Sequence, residues 1–116
     1  MKSYFVYLLA SRRNGTLYCG VTNNLIHRTW QHRTGQVPGF TAKYNVKMLV
    51  WYEEHGDIRN AIQRETNIKG WKRAWKLKLI EDFNPLWLDL YDGLLPGAVL
   101  DRTREAGNTN VLTARP

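Results

Sequence analysis

An α+β fold is predicted, a small three-stranded β-sheet flanked by helices in the order β-β-α-β-α-α. Three features of the sequence predict it. Two strand-forming runs, Phe5-Val6-Tyr7-Leu8-Leu9 and Thr16 to Thr22, flank the turn signal Asn14-Gly15. A third strand-like run, Val46 to Glu54, follows a segment with helical signals. Two further helical segments then precede Pro85.

In chain order, the first two runs read as a β-hairpin whose turn sets Tyr7 opposite the region from Leu17 to Gly20. Gly20 weakens the second strand, and a glycine there often marks close approach by another group. Asn23 or Asn24 caps a helix from about Leu25 to Thr34, which Gly35 ends. Residues Gln36 to Asn45 contain Pro38 and Gly39 and read as a loop. His55-Gly56 is a turn, and Asp57 caps a helix from Ile58 to about Lys69. Gly70 separates it from a helix of about Trp71 to Phe83. Ile68, Trp71, Trp75 and Leu79 form one apolar stripe across the two. Trp87, Leu88, Leu90 and Tyr91 are expected to pack back on the body. A helix lies between the second and third strands, so they are not a simple hairpin. The sheet is mixed or antiparallel.

The chain has 116 residues, enough for one domain with one core. We place that domain at residues 1–92. From Gly93 the composition shifts to Gly, Pro, Thr, Asn and Arg, and residues 93–116 read as a loosely ordered tail. A hydrophobic fraction of 43% excludes a disordered chain. The net charge is +7, and residues 1–92 hold 14 basic and 8 acidic side chains, so the excess belongs to the body. A basic body suits a polyanionic partner, although ordinary solubilising charge explains it equally well. One cysteine, Cys19, allows no internal disulfide. The six-residue apolar run near the N-terminus is too short for a signal core or a membrane span. A cytoplasmic location without membrane association is the expectation.

Several residues carry potential chemistry. Tyr7 and Tyr18 sit within paired strands, where their phenols can share a sheet face or simply be good strand formers. Arg28 and His32 are four apart on one helix face. They offer one fixed cation and one group that titrates near neutrality, a pair suited to a phosphate, or else a solvated face. Glu65 lies three residues from both Ile62 and Ile68, at the edge of an apolar face. A carboxylate there needs a partner. A magnesium ion shared with a phosphate is one, and Lys69 at i+4 is the other. Lys69, Lys72, Arg73, Lys76 and Lys78 interleave with Trp71 and Trp75 as a basic face over an aromatic stripe. His55 lacks partners at zinc-ligand spacing, and packing is the expected role of Cys19.

Taken together, the ordered set resembles the GIY-YIG nuclease domain, and most closely its small stand-alone bacterial members. Phe5-Val6-Tyr7 is similar to the first signature and Tyr18-Cys19-Gly20 to the second. Arg28 and His32 follow on the next helix, Glu65 stands in Arg64-Glu65, and Asn84 precedes Pro85. Runs such as Gly20-Val21-Thr22-Asn23 and Asn84-Pro85-Leu86-Trp87 add to the likeness. Two departures are the Phe5 in place of a glycine and the Cys19 in place of an isoleucine. The resemblance covers about residues 2–92. It implies an endonuclease that hydrolyses DNA phosphodiesters with a divalent metal, Mg2+ or Mn2+. It further implies DNA as partner, branched or nicked forms included, ahead of RNA, and a link to DNA repair or recombination. By the same resemblance Tyr7, Tyr18, Arg28, His32 and Asn84 are catalytic and Glu65 binds the metal. Lys43, Lys69, Lys72, Arg73 and Lys76 contact nucleic acid. The alternative is a nucleic-acid-binding module of this fold with little cleavage.

Overall fold

The computed structural model describes residues 2–95. Its elements are β1 (Tyr4–Ala10), β2 (Leu17–Thr22), α1 (Leu25–Arg33), α2 (Phe40–Lys43), β3 (Met48–His55), α3 (Ile58–Lys69) and α4 (Arg73–Phe83), followed by a 3-10 turn at Asp92–Leu94. The architecture is α+β, with the predicted three strands and main helices in the predicted order.

The strands form one antiparallel sheet in the order β2-β1-β3. β1 is central, which explains its unbroken apolar run: both of its faces are covered. Val6, Leu8 and Ala10 face one way and join Cys19, Val50, Trp51, Ala61, Ile68, Ile80 and Trp87 in the core under α3 and α4. Tyr7 and Leu9 face the other way and join Leu25, Val46 and Leu49. Between Leu8 and Leu9 the register to β3 shifts, because Leu8 pairs with Trp51 and Leu9 with Leu49. Val50 is the extra residue of that bulge.

Several local expectations are corrected. The β1–β2 turn centres on Arg13-Asn14, not Asn14-Gly15. Gly15 N donates to Arg12 O, and Asn14 takes the left-handed position at φ 57°. Residues 36–45 are not all loop. After Gly39, at φ 100°, Phe40–Lys43 winds one helical turn, too short to leave a periodic sequence signal. β3 starts at Met48 and α4 at Arg73, later than predicted. Ile68 is buried, but Trp75 is 54% exposed, so the aromatic stripe does not all face the core. Trp87 packs inward as expected, whereas Leu88 is exposed. Leu94 lies against the second core, two residues beyond the predicted domain end. The rest of the expected tail lies outside the described residues.

The caps follow the sequence. Asn24 and Asp57 accept hydrogen bonds from His27 N and Arg59 N at the starts of α1 and α3. The C-terminal segment is held by Asp89, which accepts from Leu49 N and Tyr91 N and pairs with Arg33. The Arg33 guanidinium also lies 4.6 Å from the centre of the Tyr91 ring.

Candidate active site

The register pairs Tyr7 with Gly20 across the β1–β2 ladder. A Cβ on residue 20 would lie 2.5 Å from the Tyr7 hydroxyl and 2.6 Å from Cζ. The Tyr7 ring therefore crosses β2 over a bare backbone. The glycine inside β2 marks this close approach.

Three rings meet on this face. Tyr7 and Tyr18 are 6.3 Å apart between centroids, Tyr7 and His32 6.0 Å, and Tyr18 and His32 5.4 Å. The Tyr7 hydroxyl and His32 Nε2 are hydrogen-bonded at 3.2 Å, and His32 Nδ1 is hydrogen-bonded to Thr41 Oγ1 at 3.0 Å. Tyr7, His32 and Thr41 are all buried. The imidazole is thus held at both nitrogens, one from the sheet and one from α2. Thr41 has no counterpart among the residues singled out from sequence. The helix that carries it has no periodic signal.

Electrostatics divide these groups. Burial, aided by the neighbouring Tyr18, pushes the Tyr7 phenol up to about 12, although Arg28 pulls in the other direction. Burial and the Arg28 cation push His32 down to about 4. This corrects the expectation of a group titrating near neutrality: His32 is neutral there. Half-buried Arg28 donates to Gln31 Oε1 at 3.3 Å, and it is the cation felt by both Tyr7 and His32. Buried groups one turn away on α1 make this helix face part of the core rather than a solvated surface.

A stability prediction follows from His32. In the unfolded chain it takes up a proton near pH 6.5, in the fold only near 4. Between those values the unfolded state binds more protons, so stability rises with pH. The contribution is complete above about 6.5 and lost as pH falls toward 4. We expect the urea midpoint to drop between pH 7 and pH 4.5, and His32→Gln to drop less over the same interval. Equal losses would place the acid sensitivity elsewhere.

Glu65 lies on α3. Its side chain is 15% exposed, and Oε2 pairs with Lys69 Nζ at 3.0 Å. The pair anticipated from the i,i+4 spacing is therefore present. The hydrogen bond to Glu65 raises the Lys69 pKa. Glu65 also influences Cys19, whose thiol burial pushes up to about 12 with help from that carboxylate, and Lys69 senses Tyr18. The acid thus sits beside β2, near the strand that carries Tyr18. The Cys19 thiol stays protonated and packs in the core.

The remaining candidates are dispersed. Asn84 is buried at the end of α4. Its amide donates to Val50 O and Leu88 O, and its carbonyl accepts from Leu88 N. These bonds tie Asn84 to the backbone, whereas the resemblance implies a catalytic role for it. The Arg73 guanidinium donates to Asn14 O and Gly15 O at 2.7 Å, which ties α4 to the hairpin turn. Lys72 lies 5.6 Å from the Trp75 ring centre and Lys43 5.3 Å from that of Tyr44. Lys76 donates to Lys69 O at 3.4 Å. Lys69 and Lys76 line a pocket of about 270 Å³ that also includes Tyr18 and Phe40. Among the described residues no helix is long and apolar enough to cross a membrane.

The chain is similar to known proteins over about two thirds of its length. The GIY-YIG catalytic domain matches residues 3–78. A UPF0213 protein of Oceanobacillus iheyensis is 36% identical over 80 residues, which are 69% of this chain and 92% of that protein. A UPF0213 protein of Staphylococcus haemolyticus is 33% identical over 82 residues, 71% of this chain and 99% of that one. The solution structure of a UPF0213 protein from Bacillus halodurans aligns with a TM-score of 0.48 and 22% identity, covering 75% of this chain and 92% of that one. GIY-YIG is a nuclease domain, so nucleic acid is the substrate class it implies. With most of the chain matched by the domain, and relatives matched over nearly their whole length, this protein belongs to the GIY-YIG family.

Proposed function

We propose that this chain is a metal-dependent DNA endonuclease whose site is formed by Tyr7, Tyr18, Arg28 and His32, with Glu65 as the metal ligand. The observation that carries the reading is the convergence of two strand phenols and a neutral, doubly hydrogen-bonded imidazole under the charge of Arg28. A core needs no such cluster, and desolvating it costs stability.

The donor set fits a hydrated divalent ion. Glu65 is a largely buried carboxylate near Cys19 of β2, and its Oε2 is held by Lys69. No group of three or more His, Cys, Asp or Glu side chains gathers as a metal site among the described residues. One carboxylate, with water and a phosphate oxygen completing the shell, is the mode magnesium favours. Such an ion would act as a Lewis acid on the phosphate and lower the pKa of a bound water. Lys69 would then turn from Glu65 toward the DNA.

The protein groups divide the remaining work. Arg28 places a fixed positive charge where the pentacovalent phosphate gathers negative charge. Tyr7, with its pKa near 12, stays protonated, so it positions and donates rather than acting as a base. Tyr18 is the phenol left to help deprotonate the attacking water. Neutral His32 holds Tyr7 in place and can accept a proton only transiently, because its conjugate acid is strong. Lys43, Lys72 and Lys76 would position the backbone of the DNA without reading sequence. Arg73 and Asn84 support the fold around the site. Repair or recombination is the setting we assign to a small nuclease that acts on branched or nicked DNA.

The test is incubation of the protein with supercoiled plasmid, nicked circles and a branched duplex, in Mg2+ or Mn2+ and in EDTA. Cleavage with either metal and none in EDTA is expected. DNA that is bound but intact under every condition would instead identify a nucleic-acid-binding module of this fold.

A further inference from the structure

We propose that the pocket beside Tyr18 receives one unpaired nucleobase of a DNA strand, with Phe40 as its stacking platform. The proposal rests on the nuclease reading and deepens it, because it names the DNA feature that selects the site of action.

The pocket of about 270 Å³ has an apolar lining that includes Leu17, Cys19 and the rings of Tyr18 and Phe40, with Lys69 and Lys76 as its cations. Its volume lies below the range of drug-sized cavities, so it suits one planar heterocycle rather than two. Phe40 is stacked on Tyr18 at 6.5 Å and 29°, and Tyr44 lies 5.0 Å from Phe40. The three rings thus run outward from the candidate active site. Phe40 and Tyr44 are 46% and 47% exposed, so their faces contribute little to the core. Lys43 stands over the Tyr44 ring at the outer end.

An apolar, aromatic cleft with ammonium groups is the arrangement that binds single-stranded nucleic acid: rings take base faces and cations take the backbone. A paired base offers only its edges to a protein, whereas an unpaired base offers its faces. Phe40 therefore distinguishes the two states without reading sequence. The lysines argue for a polyanion over an apolar peptide, and the net charge of +7 opposes a second copy of this chain on the same face.

The experiment compares binding of a dye-labelled oligothymidine and a blunt duplex of equal length by fluorescence anisotropy. It uses the full chain at low salt without metal, where phosphate contacts are strongest. We expect wild type to prefer the single strand. Phe40→Ala should weaken single-strand binding by roughly ten-fold and duplex binding by less than about two-fold. Phe40→Trp, which keeps a stacking face, should retain the preference. Equal effects of Phe40→Ala on both ligands, or none on either, would overturn the subsite while leaving the nuclease reading intact. So would a wild-type dimer that Phe40→Ala dissociates in sedimentation. Absence of binding to either DNA would overturn both readings together.

Discussion

Arg28→Ala should lower the single-turnover cleavage rate by about 10²- to 10³-fold, with little effect on folding. The reason is position. Arg28 is half-buried on α1, beside both Tyr7 and His32, and it is hydrogen-bonded to Gln31 and to the Tyr7 phenol. Neither partner is a carboxylate, so its charge stays available to a phosphate, and among the described residues no ion pair of Arg28 would be lost on its removal. Two spectroscopic effects should accompany the loss. The His32 pKa should rise, because the cation that opposes imidazole protonation is gone. The Tyr7 pKa should rise further, because the cation that favours its phenolate is gone. Histidine titration by NMR reads the first directly. A variant with unchanged cleavage and an unchanged His32 titration would remove Arg28 from the site. Arg28→Lys keeps the charge and loses the planar fork, so partial activity is expected.

Gly20→Ala should have the second large effect, and its origin is steric. The new methyl would overlap the Tyr7 hydroxyl and Cζ, at 2.5 and 2.6 Å. Tyr7 is 1% exposed and hydrogen-bonded to His32, so moving its ring would disturb the core and that bond. Overpacking of this kind costs about 1–3 kcal/mol, and displacement of a positioned group by about 1 Å costs about 10²-fold in rate. Reduced thermal stability and a disturbed His32 environment should therefore appear together with reduced activity. Gly70→Ala is the control. A Cβ at Gly70 meets its nearest neighbour at 3.6 Å, and its φ of −85° suits any residue. That variant should fold and act as wild type. A Gly20→Ala protein indistinguishable from wild type would show that Tyr7 does not depend on the bare backbone.

These predictions draw on features that differ in how plainly the sequence displays them. The strands were readable because apolar runs and turn residues act locally. The central place of β1 was not, because strand order is set by which faces the helices cover. α2 was invisible for the same reason that Thr41 was: a four-residue helix has no period to detect, and its place depends on the positive φ of Gly39. The spacing of Arg28 and His32 correctly put them on one face. It could not show that the face turns inward, which is what makes the imidazole neutral. Among the basic residues on and flanking α4, sequence order alone gave no means of separating Arg73 from its neighbours. Its bond to the hairpin turn is a contact between residues 58 and 59 positions apart. Glu65 is the clearest case of partial legibility. Its need for a partner followed from its place beside apolar residues, and Lys69 is that partner here.

The central claim is that this sheet edge cleaves phosphodiesters through a metal held at Glu65. The most direct measurement is single-turnover cleavage of labelled DNA by wild type and Glu65→Gln, at enzyme concentrations that saturate binding for both and across a Mg2+ titration. Glu65→Gln preserves shape and a hydrogen-bonding oxygen while removing the charge. The account predicts equal DNA binding, Mg2+-dependent cleavage by wild type and a loss of about 10²-fold or more in the variant at every Mg2+ concentration. Equal cleavage by the two proteins, or wild-type cleavage that persists in EDTA, would contradict it.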